Sequence, residues 1–349
     1  MTQQPSDAGS PVAGLHPPVG PEFFAPSWQP TVDRSALAAV LRQLERRGVP
    51  VLRDHPMAPM TTLRVGGVAA AFATLPDLPA AACFAESLAG TTAEEVPVFV
   101  LGKGSNTLVA DDGFPGLVVR LGRAHKWMRR DGRLVSAGAA EAMPALAAWT
   151  AREGLSGLEF AAGVPATVGG SIRMNAGAHG SDVATRLRSV SLLLPGKPAV
   201  VQRPATEFGF GYRSSQLPAR SVVVAARWEL DPAAPELVRA RLDELRAWRR
   251  ATQPLRERNC GSVFTNPPDD SAGRWVEYAG CKGMRVGGAA VSTKHANFVT
   301  TRPGASAADV HRLIAQVRAR VRAAGGPLLV PEVRLVGTFP SGPSSADHA

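Results

Sequence analysis

Apolar residues recur at helical spacing in several parts of the chain. Val40, Leu41 and Leu44 share one face of a segment that Gly48 ends, and Leu313, Ile314 and Val317 repeat the pattern near the carboxyl end. This spacing predicts helices at 35–47, 79–89, 143–152, 237–250 and 307–322. Short runs rich in Val and Leu lie between them and predict strands. These runs are 98–101, 107–109, 117–121, 188–194, 221–230, 297–300, 333–336 and a strand around Val263 and Phe264. The alternation indicates a mixed α and β protein.

Length and composition limit the possible classes of protein. The 349 residues suggest two or three domains, and 45% hydrophobic content is enough for substantial cores. The formal net charge is +10, from 39 basic and 29 acidic residues. Such a charge favours anionic partners, which include phosphates, carboxylates, nucleic acid and acidic surfaces. It does not choose among them.

Cysteine usage and hydropathy predict a soluble, cytoplasmic protein. The three cysteines form no CxxC pair and no Cys/His metal spacing, so we expect reduced thiols and no metal site. The first ten residues hold no cation and lead into no apolar segment, which is unlike a secretory signal. No apolar stretch approaches the roughly 18 residues of a membrane span, so we expect no membrane partner.

Two glycine-rich segments are candidates for binding an anionic ligand. Gly102-Lys103-Gly104-Ser105-Asn106 follows a predicted buried strand, where it forms either an anion-binding turn or an ordinary strand end. It matches neither the Rossmann nor the Walker pattern. The second segment, 163–180, holds five glycines in eighteen residues, which argues against a well-packed helix or strand. Because long loops are uncommon unless functional, a dinucleotide would suit the two segments together.

Three further residues are candidates for chemistry. Arg213 is suited to hold a carboxylate, Ser262 follows a glycine next to a strand and can donate a proton, and Glu332 precedes the last predicted strand. Each has an equally simple structural interpretation, as a surface arginine, a turn serine and a solvated strand-end charge. His295 lies in a polar run that either lines a site or forms a turn.

These segments, in this order, resemble one family over about residues 55–337. It is the flavin-dependent UDP-N-acetylenolpyruvoylglucosamine reductases of peptidoglycan precursor synthesis. Each motif alone is weakly specific, whereas all of them in one collinear series are highly specific. The motifs are 61–67, 101–108, 157–165, 167–170, 174–177, Tyr212-Arg213-x-Ser215, 261–267 and 331–334.

The resemblance implies an α+β protein with the p-cresol methylhydroxylase-type FAD-binding fold, in which two α/β subdomains precede a C-terminal α/β substrate-binding domain. We therefore expect FAD-binding subdomains at 32–121 and 122–230 and a substrate-binding domain at 231–339. The segments 1–31 and 340–349 are expected to be flexible extensions. The family uses NADPH to reduce FAD, and the reduced flavin then reduces the enolpyruvyl group of a UDP-sugar to give UDP-N-acetylmuramate.

Roles follow from the resemblance residue by residue. Ser262 matches the proton donor, while Arg213 and Glu332 match the groups that stabilise the enolate; a protonated Glu332 is one way for it to act. Tyr212, Asn266 and His295 match substrate contacts. The cofactor contacts would be Arg64, Gly102, Lys103, Gly104, Ser105, Asn106, Thr107, Gly163, Thr167, Gly169, Gly170, Asn175, Ala176 and Gly177. The chain departs from the family pattern at Ala166, where glycine is usual, and at Cys260, where alanine is usual.

Two rival functions stay open. An FAD oxidase or dehydrogenase of the same fold would act on another small substrate. A nucleic-acid-binding protein would use the arginines of the segment 237–250, but those more simply form a solvated helix face, and no nucleic-acid-binding motif is present. We expect no nucleic-acid partner, and we expect a monomer.

Overall fold

The computed structural model describes residues 31–340. The helices are α1 (Arg34–Arg46), α2 (Leu78–Ser87), α3 (Met143–Arg152), α4 (Val168–Met174), α5 (Pro235–Thr252), α6 (Ala272–Tyr278) and α7 (Ala307–Ala323). The five predicted helices are all present, with ends shifted by two residues at most. The expected extensions 1–31 and 340–349 lie outside the described residues except for Thr31 and Pro340.

Short strands make up most of the rest of the structure. Those before residue 122 are β1 (Val51–Pro56), β2 (Val68–Leu75), β3 (Val98–Val100), β4 (Thr107–Val109) and β5 (Phe114–Leu121). The next are β6 (Met128–Asp131), β7 (Leu134–Gly138), β8 (Leu155–Ser156), β9 (Gly177–Ala178), β10 (Ser181–Asp182), β11 (Leu187–Leu194), β12 (Lys197–Pro204), β13 (Val222–Glu229) and β14 (Asp231–Pro232). The last are β15 (Arg258–Ser262), β16 (Arg285–Val286), β17 (Ala289–Val291), β18 (Phe298–Thr301) and β19 (Arg334–Val336).

Three sheets organise the described chain. The first has the order β1-β2-β5-β3, with β2 and β3 parallel to β5. The second is antiparallel with the order β12-β11-β13-β7-β6, and the third is antiparallel with the order β15-β18-β17-β16. Helices cover the apolar faces of the sheets and form three large buried clusters with them; the cluster under α1 and α2 joins the first sheet to side chains of β11 and β13.

The glycine-rich segment contains a helix, and the expectation that it forms none is wrong. Thr167 caps α4 by accepting a hydrogen bond from Gly170 N at 3.2 Å. A Cβ added to Gly169 would lie 3.2 Å from Ala139 Cβ, so the absence of a side chain lets α4 approach the second sheet closely. The helix forms because close packing on a sheet offsets the weak helix propensity of glycine.

The last strand ties the third sheet to the first part of the chain. β19 pairs in parallel with β4, from Arg334 opposite Thr107 to Val336 opposite Val109. Leu63 and Leu108 are buried in the core of the third sheet. Asp111 accepts hydrogen bonds from Ala307 N and Ala308 N, at 2.7 and 2.8 Å, at the start of α7. The carboxyl-terminal part therefore closes onto the turn that follows β3.

Helix α5 lies beyond residue 230, the predicted end of the second FAD-binding subdomain, but it packs in the buried cluster of the second sheet. Val238 and Leu242 are buried in the same cluster as Leu146 of α3 and Trp228 of β13. Most other side chains on α5 are exposed or half-buried, and two of its arginines form ion pairs with carboxylates one turn away. The domain limits themselves stay a prediction.

Residues 31–340 contain neither a membrane-spanning helix nor a cluster of metal-ligand side chains. No helix there is long and apolar enough to cross a membrane. No group of three or more His, Cys, Asp or Glu side chains there is arranged to hold a metal ion.

Candidate active site

Arg213 lies at the tip of a tight turn. Gly211 and Ser214 exchange two backbone hydrogen bonds of 3.1 and 3.2 Å across this turn. Arg213 has a φ of +57°, in the left-handed region that non-glycine residues rarely adopt. Its Cζ lies 5.2 Å from the centroid of the Tyr212 ring. The turn therefore holds an arginine in a strained backbone conformation next to an aromatic ring.

Arg213 faces Glu332. The Nε of Arg213 is 3.1 Å from Oε1 of Glu332, and the two side chains are 22% and 16% exposed. Nε makes no hydrogen bond of good geometry, so the contact is an ion pair in which the N–H is poorly directed. Burial raises the pKa of Glu332, and Arg213 opposes that shift. The terminal nitrogens of Arg213 donate to no other residue within 31–340, which leaves them accessible to a carboxylate.

Ser262 directly precedes a residue that is hydrogen-bonded to the backbone of Glu332. It ends β15, opposite Phe298 of β18, and the next residue, Val263, accepts a 2.7 Å hydrogen bond from Glu332 N. The strand predicted around Val263 and Phe264 instead ends at Ser262. The side chain of Asn297 replaces the strand ladder there, accepting from Phe264 N at 2.9 Å and donating to Phe264 O at 2.8 Å. Arg213, Glu332 and Ser262 thus belong to one small region of the structure.

The expected substrate contacts lie around the same region. Asn266 N donates to Tyr212 Oη over a long 3.4 Å distance, which joins the arginine turn to the segment after Ser262. Asn297 N donates to Nδ1 of His295 at 3.2 Å, so the same asparagine links His295 to Phe264. Burial is the main cause that lowers the pKa of His295. Tyr212 and Asn266 are exposed, as a nucleotide-sugar contact requires.

Removing Arg213 is expected to make stability more dependent on pH. In Arg213→Met the opposing cation is lost, so the pKa of Glu332 rises further above its ordinary 4.5. The native state then binds more protons than the unfolded state, and the variant loses stability relative to wild type as pH rises through that pKa. Urea midpoints measured from about pH 4.5 to about pH 8 test this. The double variant Arg213→Met/Glu332→Gln should lose the extra pH dependence; an unchanged slope would contradict the pairing.

The turn at residues 102–106 has the features of an anion cradle. The backbone N–H groups of these five residues donate to no other residue within 31–340. The side chain of Asn106 donates to Glu332 O at 3.1 Å, while its buried Oδ1 has no partner. Gly104 has a φ of +62°, and a Cβ there would lie 2.3 Å from Met60 O. Successive unpaired N–H groups on a closely packed glycine turn fit a pyrophosphate.

The two glycine-rich segments meet at this turn. A Cβ on Gly102 would lie 2.6 Å from Oγ1 of Thr167, so only glycine permits the contact. The N–H groups at the start of α4 are already used: Gly169 N donates to Ala139 O, and Gly170 N to Thr167 Oγ1. Thr167 and these glycines therefore bring the two segments together, while the turn at 102–106 supplies the N–H donors that have no partner within 31–340.

The other expected cofactor residues lie nearby but have further partners. Arg64 has a φ of +58° and donates to Pro59 O at 2.6 Å. The pKa of Lys103 is lowered, mainly by partial desolvation and then by the positive charge of Lys126, although most of its surface is exposed. Gly163 packs against the Arg249 side chain of α5: a Cβ added to Gly163 would lie 2.3 Å from Cδ of Arg249. Ser105 is half-buried in the turn, and Thr107 is buried in β4.

The segment after α4 contacts the arginine turn. Asn175 is buried and donates to Gly211 O and to Asp182 Oδ2, both at 2.9 Å. Ala176 N donates to Ser171 O, and an added Cβ on Gly177 would lie 3.0 Å from Nη1 of Arg213. These residues join the cofactor side of the site to Arg213.

The two departures from the family pattern have simple structural outcomes. Ala166 does not have a positive φ among the described residues, so alanine causes no backbone strain there. Cys260 is buried, and burial raises the pKa of its thiol to about 12. Burial thus favours the neutral thiol, which is the less reactive form.

Sequence reasoning missed Arg173 and Asn297. Asn297 belongs to a predicted strand, and its double hydrogen bond to Phe264 depends on a contact 33 residues away. Arg173 is one of many arginines and lies in the helix that was not expected. Only the burial of each polar group within the folded chain distinguishes it from a surface residue.

Comparison with known proteins identifies the family of this chain. Residues 253–336 match the family model "UDP-N-acetylenolpyruvoylglucosamine reductase, C-terminal domain", and residues 83–197 match "FAD binding domain". A UDP-N-acetylenolpyruvoylglucosamine reductase of Heliobacterium modesticaldum is 43% identical over 288 residues, covering 82% of this chain and 90% of the relative. The chain belongs to the UDP-N-acetylenolpyruvoylglucosamine reductase family.

Two further members of the reductase family support the assignment. A relative from Rhodopseudomonas palustris is 40% identical over 289 residues, with 82% and 91% of the two chains covered. The crystal structure of the reductase from Thermus caldophilus is 34% identical with a TM-score of 0.70, covering 82% of this chain and 98% of that one. The α+β class with the p-cresol methylhydroxylase-type FAD-binding fold is confirmed. The protein is an FAD-dependent oxidoreductase of a family that acts in peptidoglycan precursor synthesis.

Proposed function

We propose that this protein uses NADPH to reduce the enolpyruvyl group of UDP-N-acetyl-3-O-(1-carboxyvinyl)-glucosamine, giving UDP-N-acetylmuramate. The observation that carries the proposal is the pairing of Arg213 with Glu332, next to the strand end that holds Ser262. Family membership supports the substrate, because the matching relatives are named for the enolpyruvoyl sugar. The pairing also favours a substrate that carries a carboxylate, because a guanidinium binds this group in a bidentate geometry.

The turn at 102–106 would hold the FAD pyrophosphate through its free N–H groups. Contacts from Arg64, Thr107 and the segments 163–170 and 175–177 would complete the cofactor site. FAD held there would supply the hydride chemistry that links NADPH to the enolpyruvyl double bond. The protein supplies the shape of the site and its charges.

Arg213 would bind the carboxylate of the substrate. Hydride addition moves negative charge toward that carboxylate, so a fixed guanidinium stabilises the transition state more than the ground state. Glu332 lies against Nε and leaves the terminal nitrogens of Arg213 for the substrate. Burial raises the pKa of Glu332, which favours the protonated form in which it would also donate a hydrogen bond.

Ser262 would donate the proton that completes the reduction. The preceding Gly261 has a φ of +78° and, like Ser262, is half-buried at the end of β15. A serine hydroxyl has a high intrinsic pKa, so it requires a polarising neighbour or a relay to act as an acid. Tyr212, Asn266 and His295 would contact the nucleotide-sugar. A monomeric state and a cytoplasmic location stay predictions.

Anaerobic flavin spectroscopy tests the function in two additions. NADPH added to the yellow holoenzyme should bleach the flavin absorbance, and the enolpyruvyl nucleotide added next should restore it. Protein that is colourless and cannot be reconstituted with FAD would overturn the proposal. If NADPH bleaches the flavin but the enolpyruvyl nucleotide fails to restore its colour, the protein is an FAD oxidase or dehydrogenase for another substrate.

A further inference from the structure

The guanidinium of Arg173 is a half-buried cation that the proposed chemistry does not use. Arg173 lies in the last turn of α4, and no Asp or Glu within 31–340 forms an ion pair with it. Burial, then the charge of Arg334, lowers its pKa to about 10. A charge taken out of water without a counter-ion costs free energy unless hydrogen bonds compensate for it. Its hydrogen-bond partners therefore indicate what the arginine is for.

All of those partners belong to one turn, residues 217–221. Nη1 donates to Leu217 O at 2.9 Å and to Pro218 O at 3.2 Å. Nη2 donates to Pro218 O at 3.3 Å, to Ser221 O at 3.1 Å and to Ser221 Oγ at 3.0 Å. A planar guanidinium satisfies several carbonyls at once, which the single ammonium of lysine cannot do. The arginine thus fixes the position of the turn relative to α4.

The same helix holds the other end of the segment. The Oγ of Ser215 donates to Arg173 O at 2.8 Å, and Asn175 donates to Gly211 O at 2.9 Å. Arg213 lies two residues from each of these attachment points and has a positive φ, which only surrounding contacts can maintain. The end of α4 therefore holds the segment 211–221 at Gly211, at Ser215 and at residues 217–221.

We propose that Arg173 is a positioning residue for Arg213: it ties the segment 211–221 to α4, so that the guanidinium of Arg213 faces the carboxylate of the substrate. This inference rests on the role proposed for Arg213. α4 is capped by Thr167, which contacts the cofactor turn at Gly102. One short helix thus links the position of the flavin to that of the carboxylate-binding arginine.

A double-mutant cycle on the holoenzyme tests the proposal. Arg173→Gln should slow reoxidation of reduced flavin by the enolpyruvyl nucleotide by on the order of 10- to 100-fold, because small misplacements of a binding group cost that much. Flavin content and the rate of bleaching by NADPH should stay close to wild type. In an Arg213→Met background, Arg173→Gln should cause no further loss, because it acts only through Arg213.

Two other variants control for stability. Arg220→Gln removes a half-buried arginine of the same segment that donates instead to Thr91 Oγ1 at 2.9 Å, so it should lower Tm with little effect on reoxidation. Ser215→Ala removes only the bond to Arg173 O and keeps the test open if Arg173→Gln fails to fold. Ser215→Ala should slow flavin reoxidation less than Arg173→Gln does. In the Arg213→Met background it should cause no further slowing.

Two results would overturn the positioning role. One is a loss in Arg173→Gln that is equally large with and without Arg213. The other is an equal loss in the bleaching and reoxidation steps. Failure of the wild-type protein to reoxidise with the enolpyruvyl nucleotide would instead overturn the proposed function, so the two failures are distinguishable.

Discussion

Ser262→Ala is expected to stop reduction of the enolpyruvyl nucleotide while leaving reduction of the flavin by NADPH intact. Loss of a positioned general acid typically costs about 10²- to 10⁴-fold in rate. The Ser262 backbone belongs to the ladder with Phe298, so alanine should preserve the strand. Stopped-flow absorbance under anaerobic conditions measures the two steps separately. Bleaching should proceed at the wild-type rate, and recovery of colour should be slowed by that factor.

Ser306→Ala is the matched control for this serine. Its hydroxyl accepts a 3.0 Å hydrogen bond from Asp309 N and caps α7, which packs in the same buried cluster as Cys260 and Val263. Alanine there should cost about 1 kcal/mol of stability and leave both flavin steps unchanged. Wild-type recovery of colour in Ser262→Ala would remove Ser262 as the proton donor. The proposed reductase function would still stand, provided that the wild-type protein recovers its colour with the enolpyruvyl nucleotide.

Gly104→Ala is expected to abolish stable FAD binding. The added Cβ would lie 2.3 Å from Met60 O and 2.9 Å from Thr61 Cα, both backbone atoms, so the turn at 102–106 has to move. Hydrogen bonds to a charged group contribute about 1.5–3 kcal/mol each, so losing two of the N–H contacts weakens binding by roughly 10²- to 10⁴-fold. The purified variant should be colourless, and FAD titration by fluorescence should give the weakened affinity.

Gly132→Ala separates the clash from the backbone strain. Gly132 also has a positive φ, +59°, but an added Cβ meets no atom within 4 Å. It lies in the turn between β6 and β7, so alanine should cost about 1 kcal/mol of stability and leave the protein yellow. Equal flavin content in Gly104→Ala and wild type would show that the turn at 102–106 does not hold the cofactor.

Periodicity was sufficient for the helices that bury a wide apolar face. α1, α3 and α7 follow their predicted limits because their apolar side chains repeat at three and four residues, and α1 and α7 also begin at side-chain caps. It failed for α4, which has few apolar residues. That helix is stabilised by a close approach to Ala139 and by its Thr167 cap, neither of which appears as a hydrophobic pattern.

For the candidate site, the sequence predicted the residues but not the contacts between them. Collinear motifs named Arg213, Ser262 and Glu332 from the sequence, although each alone had a simple structural interpretation. The 3.1 Å approach of Arg213 to Glu332 joins residues 119 positions apart (332 minus 213), and no local pattern encodes it. The same holds for Asn106 and Glu332, whose hydrogen bond spans 226 positions.

The sequence by itself determined the family, the mixed α and β class, the glycine turn and the identity of the chemical groups. Those properties depend on residue type and order, which a chain carries before it folds. Only the tertiary structure decided which groups face one another. It placed Glu332 against Arg213 and left the N–H groups of residues 102–106 without partners within 31–340. It also brought Arg173 within hydrogen-bond distance of the turn 217–221. Burial and hydrogen-bond pairing are properties of the folded chain, because they arise when distant segments exclude water together.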